Sequence, residues 1–156
     1  MKKQDHYALT ATWTGNKGSG TSKVSGYERS HTVTIANKPD LLLTTDNSLY
    51  SDKSKHNPEE LLLAAISSCH LMTYLYLCAL EGIVVMDYTD HATGTMKELA
   101  GGGGYFTEVI LNPVFSVAES SMIDKALTLH EKAHEHCFIA RSMNFPVVHK
   151  PVCKGQ

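Results

Sequence analysis

The longest apolar run in the chain lies between Asn57 and Glu81, and its start is the most fully specified local signal in the sequence. Asn57 is a good cap for free helix amides, Pro58 suits the first helical position, and Glu60 stands three residues after the cap, as in a capping box. Glu59 and Glu60 also place negative charge at the positive end of the helix dipole. The segment Leu61 to Met72 follows with no charged residue, and Gly82 is the expected stop. The pattern predicts one helix over residues 57–81, apolar on nearly every side and so expected to be buried on nearly every side. Its length would suffice to span a membrane. Ser67, Ser68, His70, Thr73 and two tyrosines interrupt it, which favours a core helix and no membrane association.

On either side the pattern is that of strands. Tyr7 to Trp13 alternates and is rich in strand formers, and Thr14 to Gly20 reads as a hairpin loop. A second strand is expected around Val24, a third over Arg29 to Ile35 and a short one over Leu41 to Thr45. A polar loop over Asp46 to His56 delivers the chain to the helix. Beyond Gly82, Ile83 to Tyr88 and His91 to Met96 predict one long or bent strand. It turns through the glycines of Glu98 to Gly104 and returns along Phe106 to Val117, where Pro113 suggests an edge or bulge. Glu119 to His136 predicts a second helix, amphipathic along Ile123, Leu127, His130 and His134, with Cys137 to Arg141 continuing it or opening a third. Val147, Val148 and Val152 lie in an extended end. Strands, helix, strands, helix and strand in that order predict an α+β domain with antiparallel sheet.

At 156 residues the chain reads as one domain, 1–156, with N-terminal strands over 1–50, the central helix over 57–81 and C-terminal strands and helices over 83–152. The formal net charge of -2 gives no reason to expect nucleic acid or an anionic membrane surface. Residues 1–6 show no charged-then-apolar leader, so no signal peptide is expected. Four cysteines, Cys69, Cys78, Cys137 and Cys153, follow no zinc-ribbon spacing. Cys69 and Cys78 fall about 13 Å apart along one helix and cannot pair. Free or reactive thiols in a cytoplasmic protein are expected.

Two motifs carry possible chemistry. His130-Glu131-Lys132-Ala133-His134 matches the zinc-peptidase pattern, with two imidazoles on one helix face. No downstream carboxylate or third histidine at a familiar spacing completes it, so a histidine-rich amphipathic helix is the preferred reading and no metal is expected. Cys69 and Cys137 both lie in helical stretches, and a peroxide-reacting thiol must be ionised by a nearby cation or helix N-terminus. The arginines are Arg29 and Arg141 alone. From the residues by themselves, the two cysteines read equally as a redox pair or as two buried thiols.

The segment Asn57-Pro58-Glu59, with Ala64-Ala65 and Cys69 at their offsets, closely resembles the central motif of the OsmC/Ohr family of osmotically inducible and organic hydroperoxide resistance proteins. The likeness continues through His134 to Ser142, Pro146-Val147-Val148 and Trp13-Thr14-Gly15. His70 after the first cysteine, and Cys137-Phe138-Ile139-Ala140 where the family usually has Cys-Pro, resemble the broader OsmC-like branch. The resemblance implies antiparallel sheets around a long buried helix, in an intertwined homodimer with sites at the subunit interface. It implies a thiol-dependent peroxidase acting on organic hydroperoxides, with no cofactor and with a dithiol, lipoyl-type among the expected ones, as reductant. Carried over by position, Cys69 is the peroxidatic residue, Cys137 the resolving one, Glu59 the motif glutamate and Arg29 the arginine of the N-terminal strands, which Glu59 would orient. Arg141 is the other basic candidate, and His70 reads as a core or interface histidine. The competing expectations are a non-catalytic dimer of the same fold binding a small apolar molecule and, more distantly, a zinc hydrolase through His130 and His134.

Overall fold

The computed structural model describes residues 4–45 and 50–154. Part of the polar loop expected over Asp46 to His56, namely 46–49, and the first three residues of the opening segment lie outside them. The chain divides into two compact units, 1–61 and 62–156, with the boundary in the first turn of the central helix.

In the first unit β1 (Thr10–Trp13), β2 (His31–Thr34) and β3 (Leu41–Leu43) form an antiparallel sheet in that order. Trp13 pairs with His31, and its indole N–H donates to the Glu28 carbonyl at 2.8 Å, which ties the loop back on the strand. Gly15 sits against that same carbonyl, where a Cβ would have no room. Val24 is not in a strand. It lies in a turn and is exposed, because Asn16 closes the preceding loop through its side chain and bridges to Tyr27 instead. The central helix, α1, runs from Pro58 to Leu80. Its capping box forms as expected, with Glu60 N–H donating to Asn57 Oδ1 at 2.7 Å and Asn57 N–H to Glu60 Oε2 at 3.3 Å.

In the second unit α1 ends in a Schellman motif. Gly82 takes φ +70, its N–H reaches the Ala79 carbonyl, and Ile83 N–H reaches Cys78 at 2.8 Å. The expected single bent strand is two strands in two sheets, β4 (Val85–Asp90) and β5 (Thr93–Glu98). The return is likewise split into β6 (Gly104–Leu111) and β7 (Pro113–Val117). The break is fixed where Asp90 Oδ1 accepts the Asn112 N–H at 2.7 Å, and Asn112 Nδ2 donates to the His91 carbonyl at 2.9 Å. Pro113 opens a strand at the centre of its sheet rather than at an edge, a first position where the missing N–H is tolerated. The helix α2 (Ile123–His136) follows a short 3-10 turn at Ser120–Met122. The last strands, β8 (Val147–His149) and β9 (Val152–Cys153), add in parallel to β6 and β7, giving sheets β5-β6-β8 and β4-β7-β9. The architecture is the expected α+β one, antiparallel apart from these two short additions.

Two cores pack on α1. Tyr74, Leu77 and Cys78 meet Phe115, Val117 and Leu129, while Ile66 meets Val109, Leu111 and Val147. Burying each large side chain here contributes about 1.5–3 kcal/mol. The buried residues of α1, Ile66, His70, Tyr74, Leu77 and Cys78, lie on one face. Burial on nearly every side is therefore not what is found. Met72 and Tyr76 are 62% and 64% exposed, because within the second unit β4–β9 and α2 pack on one side of the helix.

Candidate active site

Cys69 occupies the middle of α1, half-buried, and its carbonyl accepts the Thr73 hydroxyl at 2.8 Å. Cys137 is the residue at which α2 stops, its ψ of 107 turning the chain out of the helix. The segment that follows packs back on α1, with Ile139 and Ala140 against the Ile66 core. That turn brings the wholly buried Cys137 close enough to Cys69 for that group to influence its titration, and both cysteines are free thiols. Burial pushes the Cys137 thiol up to about 11, and the neighbouring Cys69 acts in the same direction. The Ala140 N–H, 3.4 Å from Cys137 Sγ, opposes this in part. A thiol so held stays protonated near neutrality and must give up its proton before it can attack a second sulfur.

An apolar cleft of ≈ 370 Å³ adjoins the pair, lined by Met72, Thr73, Tyr76, Leu77, His136 and Phe138. Met72 and Thr73 lie one helical turn beyond Cys69, and His136 and Phe138 flank Cys137 in sequence, so the cleft's walls adjoin both cysteines along the chain although neither cysteine lines it. Phe138 is 82% exposed at its rim.

The charged residues expected at the site are placed differently. Glu59 lies in the first turn of α1, ten residues before Cys69 and so about 15 Å from it along the axis. Its Oε2 is buried with no hydrogen-bond partner among the described residues. The Arg29 guanidinium is held between the rings of Tyr27 and Tyr50, at 4.2 and 4.6 Å, and donates to the Tyr27 carbonyl at 2.9 Å. No ion pair joins it to Glu59 among the described residues, so the expected orientation of Arg29 by Glu59 is not formed within one chain. Tyrosine faces offer the guanidinium a competing site. Arg141 lies in a short 3-10 turn and is exposed.

The histidines of α2 meet others from α1 and β8. His130 Nδ1 is 3.0 Å from His70 Nε2, and its ring stacks on Tyr74 with centroids 3.8 Å apart. His134 stacks on His149, whose Nε2 pairs with Glu131 at 3.1 Å. Among the described residues no three His, Cys, Asp or Glu side chains converge on a metal position. The histidines from α1, α2 and β8 form an aromatic stack instead. Sequence reasoning did not anticipate it, since no local pattern links residues so far apart. The one available signal was the count of nine histidines, most of them outside any motif.

Fold and thiol site together define an OsmC-type α+β protein. The OsmC family model, described as OsmC-like protein, matches residues 51–151, and the chain belongs to that family. No curated protein matches it. Among solved structures, an OsmC-like protein of unknown function from Vibrio cholerae O1 biovar eltor is 28% identical, with TM-score 0.84, covering 96% of this chain and 100% of that one. An organic hydroperoxide resistance protein from Elizabethkingia anophelis is 21% identical, with TM-score 0.69 and full coverage of both chains (100% and 100%). The organic hydroperoxide resistance protein OhrB of Bacillus subtilis is 17% identical, with TM-score 0.62, covering 96% of this chain and 98% of that one. These last two share the fold.

Proposed function

We propose that this OsmC-family chain is a thiol-dependent peroxidase that reduces organic hydroperoxides. The observation that carries the reading is the proximity of the Cys69 and Cys137 thiols, with an apolar cleft lined by their neighbours in sequence. In the proposed cycle the Cys69 thiolate attacks the distal peroxide oxygen and the O–O bond breaks. The alcohol leaves with a proton, and Cys69 becomes a sulfenic acid. Cys137 then attacks that sulfur, water leaves and a Cys69–Cys137 disulfide forms. An external dithiol, such as a lipoyl group in the cytoplasm, returns both thiols and is itself oxidised. The cleft favours the organic part of the peroxide over hydrogen peroxide, which has no apolar part to bury.

Arg29 and Glu59 belong to the proposed site through a homodimer. The exposed apolar face of α1 and the unpartnered buried oxygen of Glu59 support a second copy lying against this helix. Two such helices, antiparallel about a two-fold axis, would bring Glu59 of one subunit towards Cys69 of the other. For Arg29 to stabilise the departing oxygen it must leave its stack on Tyr50.

The test is a thiol count before and after one equivalent of cumene hydroperoxide, with metal analysis of the same sample. Loss of two thiols per chain, mapped to Cys69 and Cys137, supports the peroxidase. An unchanged count points to the non-catalytic reading, in which the cleft holds an apolar ligand. One tightly held zinc would favour the hydrolase.

A further inference from the structure

α2 is seated on α1 by an apolar core, Tyr74, Leu77 and Cys78 against Ala126, Leu129 and Ala133, and by a buried polar contact within it. His70, next to Cys69 in sequence, is 1% exposed, and His130, two turns before Cys137, is 0% exposed. Their ring nitrogens lie 3.0 Å apart, with the rings nearly parallel at 14°. The far nitrogens, His70 Nδ1 and His130 Nε2, are buried with no hydrogen-bond partner among the described residues. Such a bond needs one nitrogen with a hydrogen and one without. Two neutral imidazoles satisfy it. A first added proton puts a charge and an unmatched N–H in a dry site, and a second sets N–H against N–H.

Among the described residues the surroundings supply no counter-charge in contact with the pair. His149 from β8 faces both rings, with His134 of α2 stacked on His149 in turn, and Tyr74 of α1, Tyr88 of β4 and Phe115 of β7 lie against His130. The nearest carboxylate named in the stack, Glu131, is engaged with His149 at the exposed end. Burial, with the neighbouring imidazoles adding to it, holds His70 down to about 4 and His130 to about 3. The cheapest relief for a protonated pair is water, reached when the end of α2 lifts from α1.

We propose that His70 and His130 are a proton-sensitive clamp that positions the redox thiols: the neutral pair holds Cys137 on Cys69, and the protonated pair lets them part. Both are positioning residues, since neither need touch the peroxide. The inference rests on reading Cys69 and Cys137 as a redox pair, but its test uses no peroxide.

The measurement is the equilibrium of the full-length protein with glutathione. Cys69 and Cys137 give up two electrons to form their disulfide, and one glutathione disulfide takes those electrons and the two protons to give two glutathione thiols. At pH 7.5, His130→Leu should lower the constant for disulfide formation about tenfold, equivalent to about 30 mV. The double variant His70→Gln/His130→Asn keeps a hydrogen bond that cannot titrate and should restore the constant to within about threefold. Val117→Ala thins the same core without touching an imidazole and should leave it unchanged. At pH 4.5, with a catalytic selenol to keep exchange fast, the double variant should exceed wild type about tenfold, because both carry the same cysteines. The proposal is overturned by an unchanged constant in folded His130→Leu, by equal values of wild type and double variant at pH 4.5, or by no Cys69–Cys137 disulfide forming. If His130→Leu does not fold, the acid comparison decides. A disulfide that responds as expected in a protein that consumes no peroxide would leave the clamp standing and refute the peroxidase.

Discussion

Acid should destabilise the unit containing α1 and α2 well before its carboxylates protonate, and the size of the effect follows from the two buried imidazoles. A free histidine titrates near 6.5, whereas burial holds His70 down to about 4 and His130 to about 3 in the folded chain. Between those values the unfolded chain binds more protons than the folded one, so stability rises with pH. The contribution is complete above about 6.5 and is lost as pH falls towards the folded values. Between pH 7 and pH 5 each imidazole loses about 1.8 kcal/mol, and the two together about 3–4 kcal/mol. That is a large part of the roughly 5–15 kcal/mol a domain possesses. His149, also held down by burial although Glu131 opposes it, acts in the same direction. The carboxylates with lowered values, Glu28, Asp52, Glu81 and Asp87, titrate below this window and do not confuse it. Urea unfolding followed by far-ultraviolet circular dichroism, which reports α1 and α2, should show the midpoint falling by about 1.5–2 M from pH 7 to pH 5. His130→Phe keeps an aromatic ring between Tyr74 and Phe115 and should remove about half of that fall. A midpoint that moves by less than about 0.3 M in wild type would refute the reasoning.

The remaining expectations concern the site and the helix that carries it. Cys69→Ser should abolish peroxide consumption, whereas Cys78→Ser and Cys153→Ser should not; full activity in Cys69→Ser would end the mechanism. Cys137→Ser should complete one turnover and stall with a trappable sulfenic acid on Cys69, drifting to sulfinic acid in excess peroxide. Sustained turnover with dithiol would instead remove Cys137 from the resolving role. Mixing inactive Glu59→Ala with inactive Cys69→Ser should regenerate about one competent site per heterodimer if each site draws on two subunits. Subunit exchange without returning activity would refute the shared site. Asn57→Ala should cost about 1 kcal/mol of stability through the lost cap, read as a lower unfolding midpoint with its slope unchanged.

The sequence by itself determined what short-range chemistry controls. Asn57, Pro58 and Glu60 started α1 and Gly82 ended it, because capping bonds and a positive φ are settled within a few residues of where they act. The motif offsets around Cys69 were equally legible, as was the α+β order of elements. The division of the long hairpin was not, since Asp90 and Asn112 meet only once two strands are paired. Nor was the one-sided burial of α1, because an all-apolar pattern reports that a face avoids water and not which chain covers it. The nearness of Cys137 to Cys69 follows from the turn after α2, which no local pattern encodes, and the pairing of the two is implied by the family resemblance. The histidine stack shows the division most plainly. His70 and His149 share no spacing with His130 and His134, and the hydrogen bond and stacking of this group, with the lowered proton affinity of His70, His130 and His149, arise from three elements closing on one dry volume. Burial is a property of that closure, and only the tertiary structure decides it.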